Sequence, residues 1–358
     1  MLIEEVLSLG FSSISVIGLG KNTGKTFSFN QLLMEACQLG INVAVTTIGL
    51  DGEEQDSLLY YEKPRIIIRP GQIVANAKSL ILDSGLDYEI MGSTGIRTPL
   101  GEVILARALS TGKTLLAGPS AGHELVLVKQ QLEKVGIDLL IVDGAIDRRS
   151  LSAPMVTDTT VLAVGTEVSW DRQLLLERLK AQVAILTLPA WKNPKLAGEV
   201  RGLATEIDVK VALLSAEGIQ SRVSYEDIVH NPNVLAELMD EQTTTVFVQG
   251  MLSDEVLAKI LSRKPNMALL TILVSDPTSV FLGKQSFLRL TSNQAALKVL
   301  DPIHLSAVTV NPFSSRFGLA DPLLLLRDVG QAVDPIPAFD LNLGIRYRPE
   351  REAFDGIS

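Results

Sequence analysis

The sequence is poor in cysteine and histidine: one cysteine, Cys37, and three histidines stand among its 358 residues. A single cysteine excludes an internal disulfide and a metal site built from several thiolates. The histidines, at positions 123, 230 and 304, are far apart in the sequence, which argues against a histidine-rich metal site. The composition therefore gives no basis for a zinc centre of either kind.

Cationic residues are also scarce, with 32 lysines and arginines against 41 aspartates and glutamates and a formal net charge of −9. Non-specific affinity for nucleic acids comes from cations placed on phosphates, so this balance argues against a nucleic-acid partner but leaves room for a local basic site. No apolar run reaches the roughly 18 residues of a membrane span, and the acidic beginning Met-Leu-Ile-Glu-Glu is unlike a secretory signal. We therefore expect a cytoplasmic protein without a membrane partner.

The chain has enough apolar residues, 46%, to bury a sizeable core, and it is longer than the roughly 100–200 residues of an average domain. Short apolar runs alternate with helix-like segments, which is typical of βαβ units in a doubly wound, mostly parallel sheet. In the first half the predicted strands are 13–17, 42–48, 65–68, 88–91, 114–117, 138–142, 160–164 and 182–187. The predicted helices there are 25–39, 74–84, 102–109, 124–135 and 169–180.

A polar stretch in the second half suggests a boundary between two domains. We predict a nucleotide-binding domain over 1–220, a linker over 221–243 and a smaller α/β domain over 244–358. In the last of these the predicted strands are 244–248, 268–274 and 304–310, and the predicted helices are 254–262, 294–300 and 322–330. The proline-rich tail that follows is predicted to be irregular.

The most informative segment is the glycine-rich turn over residues 18–26, which we call the glycine–lysine loop. It follows the first predicted strand and opens a predicted helix, which is the setting that a phosphate-binding loop requires. The backbone amides of such a turn and the helix N-terminus attract phosphate. In this interpretation Lys25 reaches the β- and γ-phosphates and the Thr26 hydroxyl binds Mg²⁺. The candidate nucleotide-binding residues in the loop are Gly18, Gly20, Lys21, Asn22, Thr23, Gly24, Lys25 and Thr26.

A phosphate-binding loop needs a second acid to hold Mg²⁺, usually at the end of an apolar strand. The run Leu139-Leu140-Ile141-Val142 is followed by Asp143, which would lie at the carboxyl edge of the sheet, where ligands of α/β folds bind. We assign Asp143 as a metal ligand and catalytic residue. Arg148, five residues later, is a candidate for stabilising charge on the transferred phosphoryl group, the alternative being a solvated loop arginine.

The glycine–lysine loop and the run ending at Asp143 resemble those of the MinD/CobQ/dethiobiotin synthetase class of P-loop NTPases. The spacing matches the longer loop of that class, with five residues between Gly18 and Gly24. Gly20, however, stands where the strict form of the class has a second lysine, and Lys21 lies one position later. The resemblance implies bound ATP and Mg²⁺, and a homodimer clamped by nucleotide. It also implies a role for Asp51 as a catalytic acid near the metal or the attacking water, although Asp-Gly is equally an ordinary turn.

A narrower resemblance begins at Asp143-Gly144-Ala145-Ile146-Asp147-Arg148-Arg149-Ser150. This stretch is similar to the ATPase-type accessory proteins that reactivate cobalamin-dependent lysine or ornithine aminomutases. It implies that ATP hydrolysis acts on a client enzyme. The first hypothesis is therefore a Mg²⁺-dependent ATPase with a protein client.

Two other functions remain open from the sequence. One is a small-molecule enzyme similar to dethiobiotin synthetase, in which ATP activates a carboxylate held by Ser93, Thr94 and Arg97. The other is a nucleotide-binding regulator with little turnover. Hydrolysis without an added small molecule would favour the first hypothesis over the carboxylate-activating enzyme.

Overall fold

The structure is a computed structural model that describes residues 1–48, 65–144, 156–203, 206, 208–231, 233–262, 270–349 and 353–357. The chain divides into two compact units. The first unit comprises Met1–Gln182 and His304–Ser358, and the second comprises Val183–Ile303. Both units combine helices with β-sheet, so the predicted α/β class is confirmed.

The described elements are numbered in chain order. The helices are α1 (Leu2–Leu7), α2 (Lys25–Gln38), α3 (Lys78–Asp83), α4 (Gly122–Lys134), α5 (Arg172–Leu186), α6 (Ala197–Leu203), α7 (Tyr225–His230), α8 (Val234–Leu238), α9 (Asp254–Leu261), α10 (Lys284–Ser292) and α11 (Pro322–Val333). The strands are β1 (Ser13–Gly18), β2 (Val43–Thr47), β3 (Ile66–Ile68), β4 (Ile73–Ala77), β5 (Tyr88–Thr98), β6 (Gly101–Ala108), β7 (Gly112–Thr114), β8 (Leu139–Asp143), β9 (Thr159–Gly165), β10 (Val211–Leu214), β11 (Ile219–Val223), β12 (Thr245–Val248), β13 (Leu252–Ser253), β14 (Thr271–Val274), β15 (Val280–Phe281), β16 (Ala296–Val299), β17 (Leu305–Asn311), β18 (Phe313–Ser314), β19 (Gly318–Leu319), β20 (Ala338–Asp340), β21 (Ile345–Arg348) and β22 (Ala353–Gly356).

The first unit is built on an 11-stranded sheet with the order β22-β21-β20-β17-β9-β1-β8-β2-β4-β6-β5. The strands from β20 to β4 in this order are mutually parallel. Antiparallel pairs extend both ends of the sheet, with β21 and β22 on one side and β6 and β5 on the other. The central strands β1, β8 and β9 are almost entirely buried, which explains why their residues, apart from Asp143 at the end of β8, are apolar, glycine or hydroxylic.

The second unit has its own five-stranded sheet with the order β11-β10-β12-β14-β16. Strands β12, β14 and β16 are parallel, and β10 pairs antiparallel with both β11 and β12. The apolar residues of these strands pack with those of the neighbouring helices, Leu257 and Ile260 of α9 among them, into a separate hydrophobic core. This unit is therefore a small α/β body.

The observed division differs from the predicted domain boundaries at 220 and 243. The predicted C-terminal domain is split, because β17 pairs in parallel with β9 and brings the tail into the sheet of the first unit. The second unit begins earlier than predicted, because β10 and β11 join the sheet of β12. Both corrections arise from strand pairing between segments distant in sequence.

Several predicted elements are also wrong. The predicted helix 102–109 is strand β6, which lies between β4 and β5. The predicted helix 294–300 contains strand β16, the predicted strand 182–187 lies largely within helix α5, and the tail predicted as irregular contains β20, β21 and β22. A short apolar run such as 102–109, 182–187 or 294–300 is compatible with both helix and strand, so its local pattern does not decide between them. In the tail the prolines obscure strands that form by pairing within the sheet.

Asp340, at the end of β20, is a fully buried carboxyl group. Its Oδ1 accepts hydrogen bonds from the backbone amides of Asn342 and Leu343, both at 3.0 Å, whereas its Oδ2 has no hydrogen-bond partner in the part of the chain that the structure describes. Burial outweighs these two bonds and raises the pKa of Asp340 above its ordinary value.

This raised pKa predicts a stability effect that grows with pH. Because the folded state holds the Asp340 proton more tightly than the unfolded state, the contribution of Asp340 to stability is lost as the pH rises through the raised pKa. The Asp340→Asn variant, which stays neutral, is expected to be more stable than the wild type at pH 7, with the difference shrinking at acidic pH. Urea unfolding at pH 7 and pH 4.5 measures this, and a difference that grows on acidification would contradict it.

Candidate functional site

The glycine–lysine loop leaves β1 at Gly18 and enters α2 at Lys25. Gly24 is the N-cap of α2 with φ +92°, and Asn22 also has a positive φ, +57°. Glycine and asparagine are the residues that adopt this left-handed backbone at least cost. The loop sequence thus matches the sharp turn that the backbone makes into the helix.

Thr23 stabilises the loop through a hydrogen bond within it. It is buried, and its hydroxyl donates a hydrogen bond to the carbonyl of Gly20 at 3.1 Å. A Cβ at Gly18 would lie 2.6 Å from the Thr23 hydroxyl and 3.0 Å from the Gly20 carbonyl oxygen, so a larger residue at position 18 would displace the turn. The close packing requires glycine at that position.

The central polar contact of the site joins Lys25 and Asp143. The Lys25 ammonium lies 2.9 Å from Asp143 Oδ1 and donates a hydrogen bond to the Gly144 carbonyl at 3.1 Å. Strands β1 and β8 are adjacent and parallel, with Val16 opposite Asp143, so the carboxyl end of β8 reaches the beginning of the loop. Asp143 is 3% exposed and the Lys25 side chain 23% exposed, so the pair is largely shielded from solvent.

The main chain of Asp143 is fixed by the neighbouring strand β2. Its carbonyl oxygen accepts hydrogen bonds from the Thr47 hydroxyl at 3.0 Å and from the Ile48 amide at 3.3 Å. Gly118 in turn lies against Thr47, where a Cβ would come within 1.9 Å of the Thr47 carbonyl oxygen. The carboxylate therefore projects from a rigid part of the sheet.

The predicted metal ligands, Thr26 and Asp143, lie on neighbouring elements of this site. Thr26 is the second residue of α2 and is partly exposed, next to Lys25 in the sequence. A hydroxyl and a carboxylate are hard oxygen donors of the kind that Mg²⁺ prefers, with the remaining positions filled by water and phosphate oxygens. Within the described residues, no group of three or more His, Cys, Asp or Glu side chains is placed to hold a metal by itself. The donor set thus fits a cation shared with phosphate better than a self-sufficient metal centre.

The structure brings together the predicted loop residues and Asp143. Lys21 and Asn22 are exposed at the outside of the turn. Asp51 and Arg148, predicted as a catalytic acid and a phosphate-binding arginine, lie outside the described residues, so their roles stay predictions.

Sequence reasoning missed Asn311, which the structure places against the loop. Its Nδ2 donates to the Asn22 carbonyl at 3.4 Å, and a Cβ at Gly24 would lie 3.0 Å from Asn311 Cβ. Asn311 ends β17, two strands from β1 in the sheet, with β9 between them. An apolar strand followed by Asn-Pro was the available signal, but assignment of this strand to another domain concealed its importance.

A hydrogen bond connects the segment after β9 with the β18–β19 hairpin. Glu167, after β9, accepts a hydrogen bond from the Ser315 amide at 2.5 Å. Hydrogen bonds from the Ser315 side chain and backbone hold the pKa of Glu167 below its ordinary value. The segment after β9 is also close to the glycine–lysine loop, because a Cβ at Gly20 would lie 3.2 Å from Val168 Cγ2.

The residues offered for a carboxylate substrate, Ser93, Thr94 and Arg97, lie elsewhere. They belong to β5, the edge strand, which is five strands from β1 in the sheet. At about 4.8 Å per strand this is roughly 24 Å from β1. The Ser93 hydroxyl bonds Glu102 and the Thr94 hydroxyl bonds the Val103 carbonyl, so both stabilise the β5–β6 hairpin. Their placement removes the residues that supported a carboxylate-activating enzyme.

Comparisons with known proteins add no assignment: no family model, no curated protein and no solved structure matches this chain. Among the described helices, none has the length and apolar character needed to cross a membrane.

Proposed function

We propose that this chain binds a nucleoside triphosphate, ATP in the first place, with Mg²⁺ at the glycine–lysine loop and hydrolyses it. The observation that supports this most directly is the pairing of Lys25 with Asp143 where β1 and β8 end and α2 begins. A cation and a buried carboxylate at a helix N-terminus are the groups needed to bind phosphate and a divalent cation side by side.

In this proposal each group of the site has a part. The turn and the first residues of α2 direct backbone amides and the positive end of the helix dipole at the phosphates. The Lys25 ammonium exchanges part of its contact with Asp143 and Gly144 for phosphate oxygens, which releases the Asp143 carboxylate toward the cation. Together with the Thr26 hydroxyl, Asp143 would hold Mg²⁺, which when bound neutralises charge on the phosphate oxygens. Water attacks the γ-phosphate, and catalysis consists of positioning and charge stabilisation.

Coupling to a protein client is part of the proposal and rests on the resemblance to aminomutase-reactivating ATPases. The placement of Ser93, Thr94 and Arg97 within the β5–β6 hairpin favours it over carboxylate activation. A client-directed ATPase hydrolyses ATP slowly without any added carboxylate. Phosphate release from ATP, measured with and without an aminomutase, tests this coupling. We expect release by the chain alone and faster release with the aminomutase.

The Mg²⁺ assignment predicts a specific effect of replacing Thr26. Mg²⁺ is expected to increase the affinity for ATP by a factor that is at least about 10-fold smaller in the Thr26→Ala variant than in the wild type. This is the scale of one hydrogen bond to a charged group. Thr26→Ser keeps the hydroxyl and is expected to behave as the wild type. Isothermal titration with ATP in the presence of Mg²⁺ and of a chelator measures this gain. Equal gains in the alanine and serine variants would rule out Thr26 as a ligand.

A further inference from the structure

An exposed pair of aromatic rings lies on two segments of the first unit that also contact the glycine–lysine loop. Trp170 and Phe317 stack with ring centroids 5.2 Å apart and an interplanar angle of 29°. They remain 42% and 58% exposed, so roughly half of each side chain is open to solvent. Exposed flat rings held in a fixed arrangement are suited to stacking on a planar aromatic ligand.

Two segments that touch the glycine–lysine loop present the rings. Trp170 follows Val168 by two residues, and Val168 packs against Gly20. Phe317 lies in the β18–β19 hairpin, which follows Asn311, the residue whose amide contacts the Asn22 carbonyl. Each ring is thus carried by a segment that contacts the loop, one at Gly20 and the other at Asn22.

The same segments are held in place independently of the rings. The Glu167 carboxylate accepts a hydrogen bond from the Ser315 amide, and this bond links the segment after β9 to the hairpin. The Val168 carbonyl accepts a hydrogen bond from Arg178 Nη1 at 3.0 Å, and the Ala320 amide donates to the Pro312 carbonyl at 2.9 Å. Because the backbone is ordered on both sides, the protein would lose little conformational entropy when a ligand stacks on the rings.

We propose that the Trp170–Phe317 ring pair binds the base of the nucleotide whose phosphates the glycine–lysine loop holds, a proposal that rests on the proposed function. The attachment of both rings to segments touching the loop favours the base over an unrelated protein as the occupant. Stacking of a base on aromatic side chains tolerates any base, so it adds affinity without choosing between ATP and GTP.

Tryptophan fluorescence can report this contact directly. The chain has two tryptophans, Trp170 and Trp191, so the Trp191→Phe variant leaves Trp170 as the single reporter. In that full-length variant with Mg²⁺, ATP is expected to change the Trp170 emission. Tripolyphosphate, which has no base, is expected to compete with ATP while leaving the emission nearly unchanged.

Affinity measurements provide the matched test. In Phe317→Ala the affinity for ATP is expected to fall about 5- to 100-fold, the range for one base stacked on aromatic side chains, while the affinity for tripolyphosphate stays as in the wild type. Leu319→Ala removes another exposed apolar side chain of the hairpin and is expected to change neither affinity.

The outcomes separate this proposal from the proposed function. ATP bound with unchanged Trp170 emission and undiminished affinity in Phe317→Ala would overturn base stacking, leave the loop assignment intact and point to a protein contact at the rings. Equal losses for ATP and tripolyphosphate in Phe317→Ala would also overturn it, because the ring would then support the loop and not the base. Failure of the wild type to bind either ligand would overturn both proposals.

Discussion

The Lys25→Ala variant is expected to lose at least about 100-fold in affinity for Mg²⁺–ATP. The substitution removes a cation whose hydrogen bonds to phosphate oxygens are of the charge-assisted kind, and that loss alone is worth about 10- to 100-fold. It also removes the 2.9 Å contact between Lys25 and the Asp143 carboxylate, which is 3% exposed. Without the Lys25 cation the negative charge of Asp143 opposes the phosphate oxygens more strongly, so the two effects act in the same direction.

Lys21→Ala is the matched control, because it removes a lysine of the same loop that is exposed and lies outside α2. Its effect on affinity is expected to be about 10-fold or less, as for a solvent-screened charge. A double variant, Lys25→Ala with Asp143→Asn, separates the two causes when it is compared with Lys25→Ala in a chelator, where Asp143 has no Mg²⁺ to hold: it should bind ATP more tightly, because it lacks the carboxylate charge beside the phosphates. Isothermal titration gives all four affinities. Wild-type affinity in Lys25→Ala would refute a phosphate-binding role for this lysine.

The Gly118→Ala variant is expected to destabilise the first unit by about 3 kcal/mol or more, because overpacking against main chain has little room to relax. The added Cβ would lie 1.9 Å from the Thr47 carbonyl oxygen and 2.7 Å from the Thr46 hydroxyl. Relief requires the end of β2 to move, and the Thr47 hydroxyl there holds the carbonyl of Asp143. The variant should therefore lose nucleotide affinity as well as stability.

Gly92→Ala provides the control for this substitution. A Cβ at Gly92 would meet no heavy atom within 4 Å, and its φ lies outside the left-handed region. The thermal midpoint of Gly92→Ala is expected to stay near that of the wild type, while that of Gly118→Ala falls by several degrees. If the thermal midpoint of Gly118→Ala equals that of Gly92→Ala, the end of β2 can move to accept the methyl group with no loss of stability, and the prediction is wrong.

The most buried part of the fold was the most predictable. The run that forms β8 is apolar over four consecutive positions, and β1 combines apolar residues with small serines and a glycine; both strands are buried, so their local pattern suffices. The sequence predicts a helix where β6 forms, because the apolar run is short and its strand partners β4 and β5 decide its conformation. The domain boundaries failed for a related reason: pairing of β17 with β9 joins residues more than a hundred positions apart.

Some residues of the candidate site could likewise be predicted from the sequence, and others could not. Lys25 and Asp143 could be predicted, because each follows or ends an apolar strand and the carboxyl ends of parallel strands share one edge. Asn311 and the Trp170–Phe317 ring pair could not, since their proximity to the loop depends on where β17 enters the sheet. Ser93, Thr94 and Arg97 are predicted to follow a strand that ends at residue 91, whereas they lie within β5, an edge strand of the sheet.

The thermal midpoint of the unmodified chain, measured with and without Mg²⁺ against ATP, ADP and GTP, tests nucleotide binding most directly. A ligand at about 100 times its Kd adds about 2.7 kcal/mol to the stability of the unit that binds it, which corresponds to a shift of several degrees. We expect the midpoint to rise with ATP, and to rise further when Mg²⁺ is present. An unchanged midpoint with every nucleotide at millimolar concentration would contradict the proposed function.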